Sequence, residues 1–159
     1  MEGRPFSLGN LIWKIMTAAT NFESRKGVIA CKPQEFYAFI SDIRNFGQFI
    51  PTANIREWKA ESESCSFAIP PFGSATVRIT EKLPESLVVF FGKALQNNEF
   101  TLKVNIAATG TEKSEVKLEL NAEMNPMLRM MAAGAIGQFL EKLITEMEKI
   151  DWQKRFKGN

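Results

Sequence analysis

The longest regular pattern of apolar residues runs from Asn125 to about Trp152. Asn125 is a favoured residue for capping the start of a helix, and Pro126 fits the first turn, where no backbone N–H is needed. The apolar residues that follow recur at steps of three and four, as on one side of a helix. They are Leu128, Met131, Ala135, Phe139, Leu143, Met147 and Ile150. The pattern therefore predicts one long helix.

The two halves of this helix differ in charge. The second half carries charged residues at positions 141, 142, 146, 148 and 149, away from the apolar side. Residues 130–137 carry no charge. A helix that is apolar all around is normally buried all around. We therefore expect the first half to be enclosed and the second half to keep one face in water.

The stretch before the helix alternates between apolar and polar residues, with the period of two that indicates β-strands. We predict six strands, at 54–61, 64–70, 74–82, 86–93, 98–108 and 114–123. The connections are short and rich in proline, glycine, asparagine and serine, which favours an antiparallel meander. Each of the last two strands has one apolar and one polar face, so the long helix is expected on the apolar face.

The sequence pattern between residues 21 and 51 predicts one more strand and two short helices. Residues 22–31 have the composition of a strand with mixed alternation. Two segments that follow, Pro33 to about Ser41 and Asp42 to about Phe49, place their apolar residues on one side of a helix. The predicted class is therefore α+β.

An N-terminal segment, residues 1–20, stands apart from this pattern. Five of its apolar residues have helical spacing: Leu8, Leu11, Ile12, Ile15 and Met16. The run is too short to span a bilayer. Because the sequence from Met16 also resembles a natural start, we favour an extension upstream of the domain. The alternatives are a short helix that docks on the domain or on a partner, and a peripheral membrane anchor.

The composition of the chain narrows the range of possible functions. At 159 residues we expect one domain, at 21–152, followed by a basic, solvated tail at 153–159. The net charge of +2 is too small to indicate a nucleic-acid partner. The chain has no histidine, which excludes Ser–His–Asp and Cys–His catalysis in their usual form. Cys31 and Cys65 lack metal-ligand spacing, and we expect buried thiols in a cytoplasmic protein without metal or cofactor.

The order of elements resembles the helix-grip fold of the START/Bet v 1/polyketide-cyclase-like superfamily (SRPBCC) over residues of about 20–150. Three local stretches look like a small bacterial branch of that superfamily: Cys-Ser-Phe-Ala-Ile at 65–69, Arg-Ile at 78–79 and Asn-Ala-Glu-Met-Asn-Pro at 121–126. The resemblance implies a curved antiparallel seven-stranded sheet wrapped around the long C-terminal helix, with a cavity between them. Many members hold lipids, sterols or quinones there, and some are cyclases, hydrolases or dehydratases.

Alternation assigns one side of each strand to this cavity, except at 87–91, where both sides are apolar. The predicted cavity residues are Phe36, Phe46, Phe49, Phe67, Ile69, Val77, Ile79, Val88, Phe90, Leu102, Val104, Leu118, Leu120, Met131, Ala135 and Phe139. Tyr37 is the one polar group considered for the cavity mouth. The same residues would also suit a filled core without a ligand. Arg78 is expected on the outer side, in an ion pair with Glu81 or Glu99.

Three hypotheses follow. The first is non-enzymatic binding of an apolar small molecule or lipid between sheet and helix. The second is a cyclase- or hydrolase-type enzyme on the same fold. The third is an interaction module with a filled core, such as a homodimer formed through Val89 and Phe91 on the outer face of the sheet.

Overall fold

The strands form one antiparallel sheet. A computed structural model describes residues 19–50, 55–70, 73–94 and 98–157. Its strands are β1 (Ala19–Glu23), β2 (Gly27–Ile29), β3 (Arg56–Ala60), β4 (Ser64–Ile69), β5 (Gly73–Leu83), β6 (Leu87–Ala94), β7 (Asn98–Gly110) and β8 (Lys113–Glu123). The strand order is β1-β8-β7-β6-β5-β4-β3, and β2 also pairs with β8. The sheet is therefore seven strands wide, as predicted.

Three of the helices lie at the positions that the sequence indicated, and a fourth, Trp152–Lys157, was not predicted. They are α1 (Pro33–Ile40), α2 (Ile43–Phe46) with the 3-10 turn Gly47–Phe49, α3 (Pro126–Lys149) and α4 (Trp152–Lys157). The side chain of Asn125 accepts a hydrogen bond from the N–H of Leu128 at 2.8 Å, so it caps α3. No helix among the described residues is long and apolar enough to cross a membrane. The predicted N-terminal extension, residues 1–20, lies almost wholly outside the described part.

The first strand is interrupted between Glu23 and Gly27, which the sequence did not predict. Ser24 keeps its place beside β8: its N–H donates to Leu118 O, and its Oγ accepts from the Leu118 N–H, both at 2.9 Å. Gly27 lies so close to α3 that an added Cβ would be 2.7 Å from Ile144 Cγ2. The interruption thus occurs beside a close contact between the helix and the strand.

The second half of α3 is held firmly against the sheet. Leu140, Leu143, Ile144 and Met147 are each 0% exposed. The helix contacts β1, β2, β8 and the 3-10 turn. Burying apolar side chains of this size stabilises a fold by about 1.5–3 kcal/mol each, so these four residues dominate the attachment of the helix.

Arg25 reinforces this attachment from the interruption in the first strand. Its guanidinium donates to both carboxylate oxygens of Glu148, at 2.9 and 3.0 Å, and forms an ion pair with Glu141 at 3.2 Å. The same Glu148 carboxylate accepts from the backbone N–H of Val28 at 3.0 Å. Hydrogen bonding to Arg25 lowers the pKa of Glu148 from its ordinary value of 4.5.

The first half of α3 is not enclosed, so that prediction was wrong. Met127, Met130 and Met131 are 72%, 84% and 67% exposed, and Ala135 is also exposed. The predicted cavity residues Met131 and Ala135 therefore do not face the sheet. The sheet-facing residues of the first half are Leu128, Ala132 and Ile136, which lie in line with Leu140.

The error comes from the rotation of the helix about its axis. The observed sheet-facing row is displaced by one residue from the predicted row, about 100° around the helix. Residues 130–137 offer apolar or small side chains on every side. The pattern in this segment therefore could not select one face.

An aromatic cluster closes the other end of the core. Trp152, at the start of α4, is 1% exposed and donates from Nε1 to Met147 O at 2.8 Å. Its ring is edge-on to Phe36 and Phe39, with centroids 5.4 and 5.1 Å apart. The predicted tail at 153–159 thus begins as part of a helix that a buried tryptophan anchors.

Gly92 offers a test of the packing between β5, β6 and β7. A Cβ at Gly92 would lie 2.5 Å from the Phe100 ring and 2.7 Å from the backbone oxygen of Thr76. Gly92→Ala should therefore lower the free energy of unfolding by about 1–3 kcal/mol. Gly137→Ala, where nothing lies within 4 Å, should raise it by about 0.5–1 kcal/mol. Urea unfolding of both variants measures this, and equal effects would contradict the packing described.

The Arg25–Glu148 pair predicts a pH dependence. Because the folded pKa of Glu148 is lowered, its contribution is complete above the unfolded pKa and is lost as pH falls through the folded pKa. The side chains of Arg25 and Glu148 are 44% and 29% exposed, so screening limits the contribution at pH 7 to about 1 kcal/mol. Glu148→Gln should lose this amount at pH 7 and almost none near about pH 3.

The control for this experiment is Glu146→Gln, two residues away. Glu146 pairs only at 3.4 Å with Lys149, on an exposed part of the helix. Its substitution should change the free energy of unfolding by less than about 0.5 kcal/mol at either pH. Urea unfolding at the two pH values compares the variants, and a Glu148→Gln effect that stays constant with pH would contradict the assignment.

Candidate ligand-binding cleft

All the strand residues that were predicted to point inwards lie on one face of the sheet. Cross-strand pairing places Val88 beside Val104 and Leu118, and Phe90 beside Leu102 and Leu120. The remaining predicted residues follow the same registers on β4 and β5: Phe67, Ile69, Val77 and Ile79. The ambiguous stretch 87–91 therefore turns its even-numbered residues inwards.

Burial divides this inner face into a filled part and an open part. In the filled part, Val88, Val104 and Leu118 are 0% exposed and Phe90 is 1% exposed. In the open part the side chains are only half-buried: Trp58, Phe67, Ile69, Val77, Ile79 and Phe100. Helix and aromatic cluster thus cover one part of the face more completely than the other.

The start of α3 lies at the end of a cross-strand row that begins in the open part. Val77, Gly92 and Phe100 belong to a cross-strand row that ends at Ala122. Ala122 is followed after three residues by Pro126, where α3 begins. On the sheet-facing side of the first half of α3, Leu128, Ala132, Ile136 and Phe139 are also half-buried. We take these two half-buried apolar surfaces as the walls of a candidate cleft.

Aromatic residues form one wall of the cleft. The rings of Trp58 and Phe67 are stacked, with centroids 5.7 Å apart and planes 30° from parallel. Gly47 provides room for Trp58, because a Cβ there would lie 2.5 Å from the indole ring. A stacked aromatic wall of this kind suits a flat or elongated apolar molecule.

The helices α1 and α2 contribute the filled end and do not line the cleft. Phe46 packs between Phe49 and Phe90, with ring centroids at 5.9 and 4.8 Å. Phe36 and Phe49 are 0% and 1% exposed. These three residues were predicted to close one end of a cavity; the structure places them in the aromatic core, and a direct contact with ligand stays a prediction.

Polar groups lie at the opposite end of the inner face from the cleft. Lys82 is paired with Val88 there, and its Nζ contacts Glu63 at 2.8 Å. The hydrogen bond to Glu63 raises the pKa of Lys82, with smaller contributions from Tyr37 and Asp42. Lys82 therefore stays protonated at neutral pH and is unsuited to act as a general base. Tyr37 lies near Lys82.

Both cysteines are free, buried thiols. Burial raises the pKa of Cys31 to about 12, with a smaller contribution from Glu35, and raises the pKa of Cys65 to about 11. Neither thiol is therefore ionised to a useful extent at neutral pH. Within the described ranges, no three potential metal-binding side chains of His, Cys, Asp or Glu come together.

A depression of about 540 Å³ lies at β4 to β7, and its lining includes Cys65 and Val77 of the inner face as well as side chains of the outer face. Arg78 and Lys93 line it, and the Arg78 guanidinium lies over the Phe91 ring at 5.1 Å from its centroid. Glu99 pairs with Lys93 at 3.9 Å, which corrects the expected pairing with Arg78. Val89 is 7% exposed and Phe91 is half-buried, so their own chain largely covers the patch suggested as a dimer interface.

Sequence reasoning missed four residues that border the cleft: Trp58, Phe100, Ala132 and Ile136. Trp58 and Phe100 are each followed by a polar residue, Lys59 and Thr101. This alternation could have indicated that both aromatic side chains lie on the inner face of the sheet. The helix residues carried no such signal, because neighbouring residues on the helix are equally apolar.

No protein-family model and no curated protein matches the chain. Solved structures do. Norcoclaurine synthase from Thalictrum flavum, in complex with dopamine and hydroxybenzaldehyde, aligns with a TM-score of 0.66 at 10% identity over 96% of this chain and 95% of that one. A conserved protein from Geobacillus kaustophilus aligns with a TM-score of 0.66 at 8% identity, over 85% and 97% of the two chains.

The protein XoxI from Bacillus cereus gives a similar result, with a TM-score of 0.62 at 10% identity over 85% of this chain and 97% of that one. These matches are structures of the Bet v 1-like, helix-grip type. They confirm the predicted fold: a curved antiparallel sheet with a long C-terminal helix and short helices after the first strands. At such identities the likeness concerns the fold alone.

Proposed function

We propose that the protein binds an apolar small molecule or lipid in the cleft between the inner face of the sheet and the first half of α3. The observation that carries the proposal is the pair of half-buried apolar surfaces on the two sides of this cleft. Trp58, Phe67 and Val77 lie on the sheet, and Ala132 and Ile136 lie on the helix. A ligand that covers them would remove apolar surface from water on both sides, which favours binding.

The chemistry of the walls favours a ligand whose buried part is uncharged. The cleft residues named above carry no titratable group. Cys65 is paired with Val77 on the neighbouring strand, and its thiol stays protonated because burial raises its pKa to about 11. An ionised group placed among them would lose its hydration without gaining a partner. A polar head group on the ligand would therefore remain at the mouth of the cleft.

These residues support binding of a ligand without catalysis. One of the aligned structures is an enzyme, norcoclaurine synthase, and the fold accommodates both roles. In this protein Lys82 and Tyr37 are at the other end of the inner face, and Lys82 forms an ion pair with Glu63. Acid–base catalysis needs a group within hydrogen-bonding reach of the ligand, and the walls of this cleft do not supply one.

Ala132→Trp tests the cleft directly, with Ala135→Trp as its matched control. Both alanines are in the uncharged part of α3, but Ala132 is half-buried on the sheet side and Ala135 is exposed. The neutral apolar fluorophore N-phenyl-1-naphthylamine serves as probe. An indole at 132 would occupy the cleft and should weaken probe binding by about tenfold or more, whereas an indole at 135 should change it by less than about twofold.

Circular dichroism establishes that both variants are folded. Equal probe affinities in the two variants would contradict the proposed location. Native mass spectrometry of freshly purified protein, compared with a denatured sample, adds a second readout. An apolar mass retained only in the native spectrum supports ligand binding; a bare protein that also fails to bind the probe opposes it.

A further inference from the structure

Most of the side chains that line the depression at β4 to β7 belong to the outer face of the sheet. They are Ser64, Thr76, Arg78, Phe91, Lys93 and Glu99. The other lining residues, Cys65, Val77 and Gly92, alternate with these along the strands, so they contribute mainly backbone atoms. The volume of about 540 Å³ is in the range of pockets that hold small molecules.

Cross-strand pairing sets these side chains in two neighbouring rows. The rows are Ser64–Arg78–Phe91 and Thr76–Lys93–Glu99. Because residues two apart on one strand share a face, Arg78 on β5 and Lys93 on β6 are diagonal neighbours. Such neighbours are about 7–8 Å apart in an antiparallel sheet. Two positive charges therefore border one space.

Arg78 is held in place without an acidic partner. Its guanidinium lies over the Phe91 ring, 5.1 Å from the ring centroid. In the described part of the chain, no carboxylate forms an ion pair with Arg78. Contact with the ring restricts the guanidinium but leaves N–H groups able to donate to a ligand. A phosphate or carboxylate can accept two of these N–H groups side by side.

Lys93 adds a positive charge that the protein itself neutralises only weakly. Its Nζ is 3.9 Å from Glu99 Oε2, which is beyond the distance of a hydrogen bond. The hydroxyls of Ser64 and Thr76 line the same space, and neither forms a hydrogen bond with another described residue. The lining therefore offers several free donors against a single carboxylate, which favours a negatively charged ligand.

We propose that this depression binds a small organic anion, with its phosphate or carboxylate group on Arg78 and Lys93 and its organic part beside Phe91. An inorganic ion would fill only a small part of the 540 Å³. The site lies on the outer face of the sheet, whereas the proposed apolar ligand lies on the inner face. The failure of either site therefore leaves the other intact.

Titration of the full chain with phenyl phosphate, followed by amide NMR, tests the proposal. Saturable shift changes are expected at residues 64–66, 76–78 and 91–93. Neutral benzyl alcohol should not produce them, because it lacks the anionic group. Shift changes confined to residues 127–138 of α3 would overturn the proposal, since the probe would then occupy the cleft. The absence of saturable changes with both phenyl phosphate and benzoate would overturn it as well.

Substitutions on the outer face distinguish a built site from general attraction of anions. Arg78→Gln should weaken phenyl phosphate binding by about tenfold or more, because charge-assisted hydrogen bonds are lost. Arg78→Lys keeps the charge without the paired N–H groups and should weaken binding about threefold. The matched control is Lys103→Gln, since Lys103 is exposed on the same face but outside the lining. Equal losses in Arg78→Gln and Lys103→Gln would overturn the site.

A gain in affinity provides a second readout that loss of folding cannot imitate. Glu99→Gln removes the carboxylate of the lining and should strengthen phenyl phosphate binding about twofold to threefold. The amide spectra of all variants also show directly whether they are folded. Unchanged or weaker binding in a folded Glu99→Gln variant would contradict the placement of the anion.

Inorganic phosphate decides whether the organic part of the ligand contributes. It should bind about threefold or more weakly than phenyl phosphate, because it makes no contact with Phe91. Equal affinities would overturn the assignment to an organic anion. Binding of a glutamate-rich peptide at residues 76–78 and 91–93, without binding of phenyl phosphate or benzoate, would overturn it in favour of an acidic protein partner.

Discussion

The attachment of the second half of α3 is the constraint on which the rest of the structure depends. Leu140, Leu143, Ile144 and Met147 lose all contact with water, and Arg25 holds Glu148 from the interrupted first strand. Trp152 joins the end of the helix to the aromatic cluster, because its Nε1 donates a hydrogen bond to the backbone oxygen of Met147. Because these contacts fix the position of the helix at one end, its first half must extend over the opposite end of the sheet.

Two consequences follow from this one-sided attachment. On the sheet side, the first half of α3 and the inner surfaces of β3 to β5 remain half-buried, and they border the cleft. On the outward side, Met127, Met130 and Met131 remain exposed. The absence of charge at 130–137 is therefore not a sign of enclosure. It reflects a helix with two apolar sides, one towards the sheet and one turned away from it.

Most of the fold could be predicted from local chemistry. The alternation in β7 and β8 and the Asn-Pro junction at 125–126 each depend on contacts within a few residues, and the structure has them as expected. The interruption at Ser24 to Lys26 depends instead on the approach of α3, a partner more than a hundred residues away. Periodicity within residues 22–31 contains no information about that partner.

The candidate site was predictable to a smaller extent, for the same reason. Strand alternation assigned the inner face of the sheet, since β-strands have only two sides. The rotation of α3 depends on which residues fill the core near Leu140 and Ile144, and eight uncharged residues in succession gave no preference. Trp152 was missed as a core residue because it follows the helix and is embedded in charged sequence. How far the remaining predicted residues contact a ligand stays a prediction.

Hydrogen–deuterium exchange of α3 tests the central claim most directly. Amides in residues 127–138 should exchange about tenfold or more faster than those in residues 140–147, because only the second half is fully buried. Adding N-phenyl-1-naphthylamine should slow exchange in the first half and leave the second half unchanged. Uniform protection along the whole helix, with no response to the probe, would contradict both the one-sided attachment and the cleft.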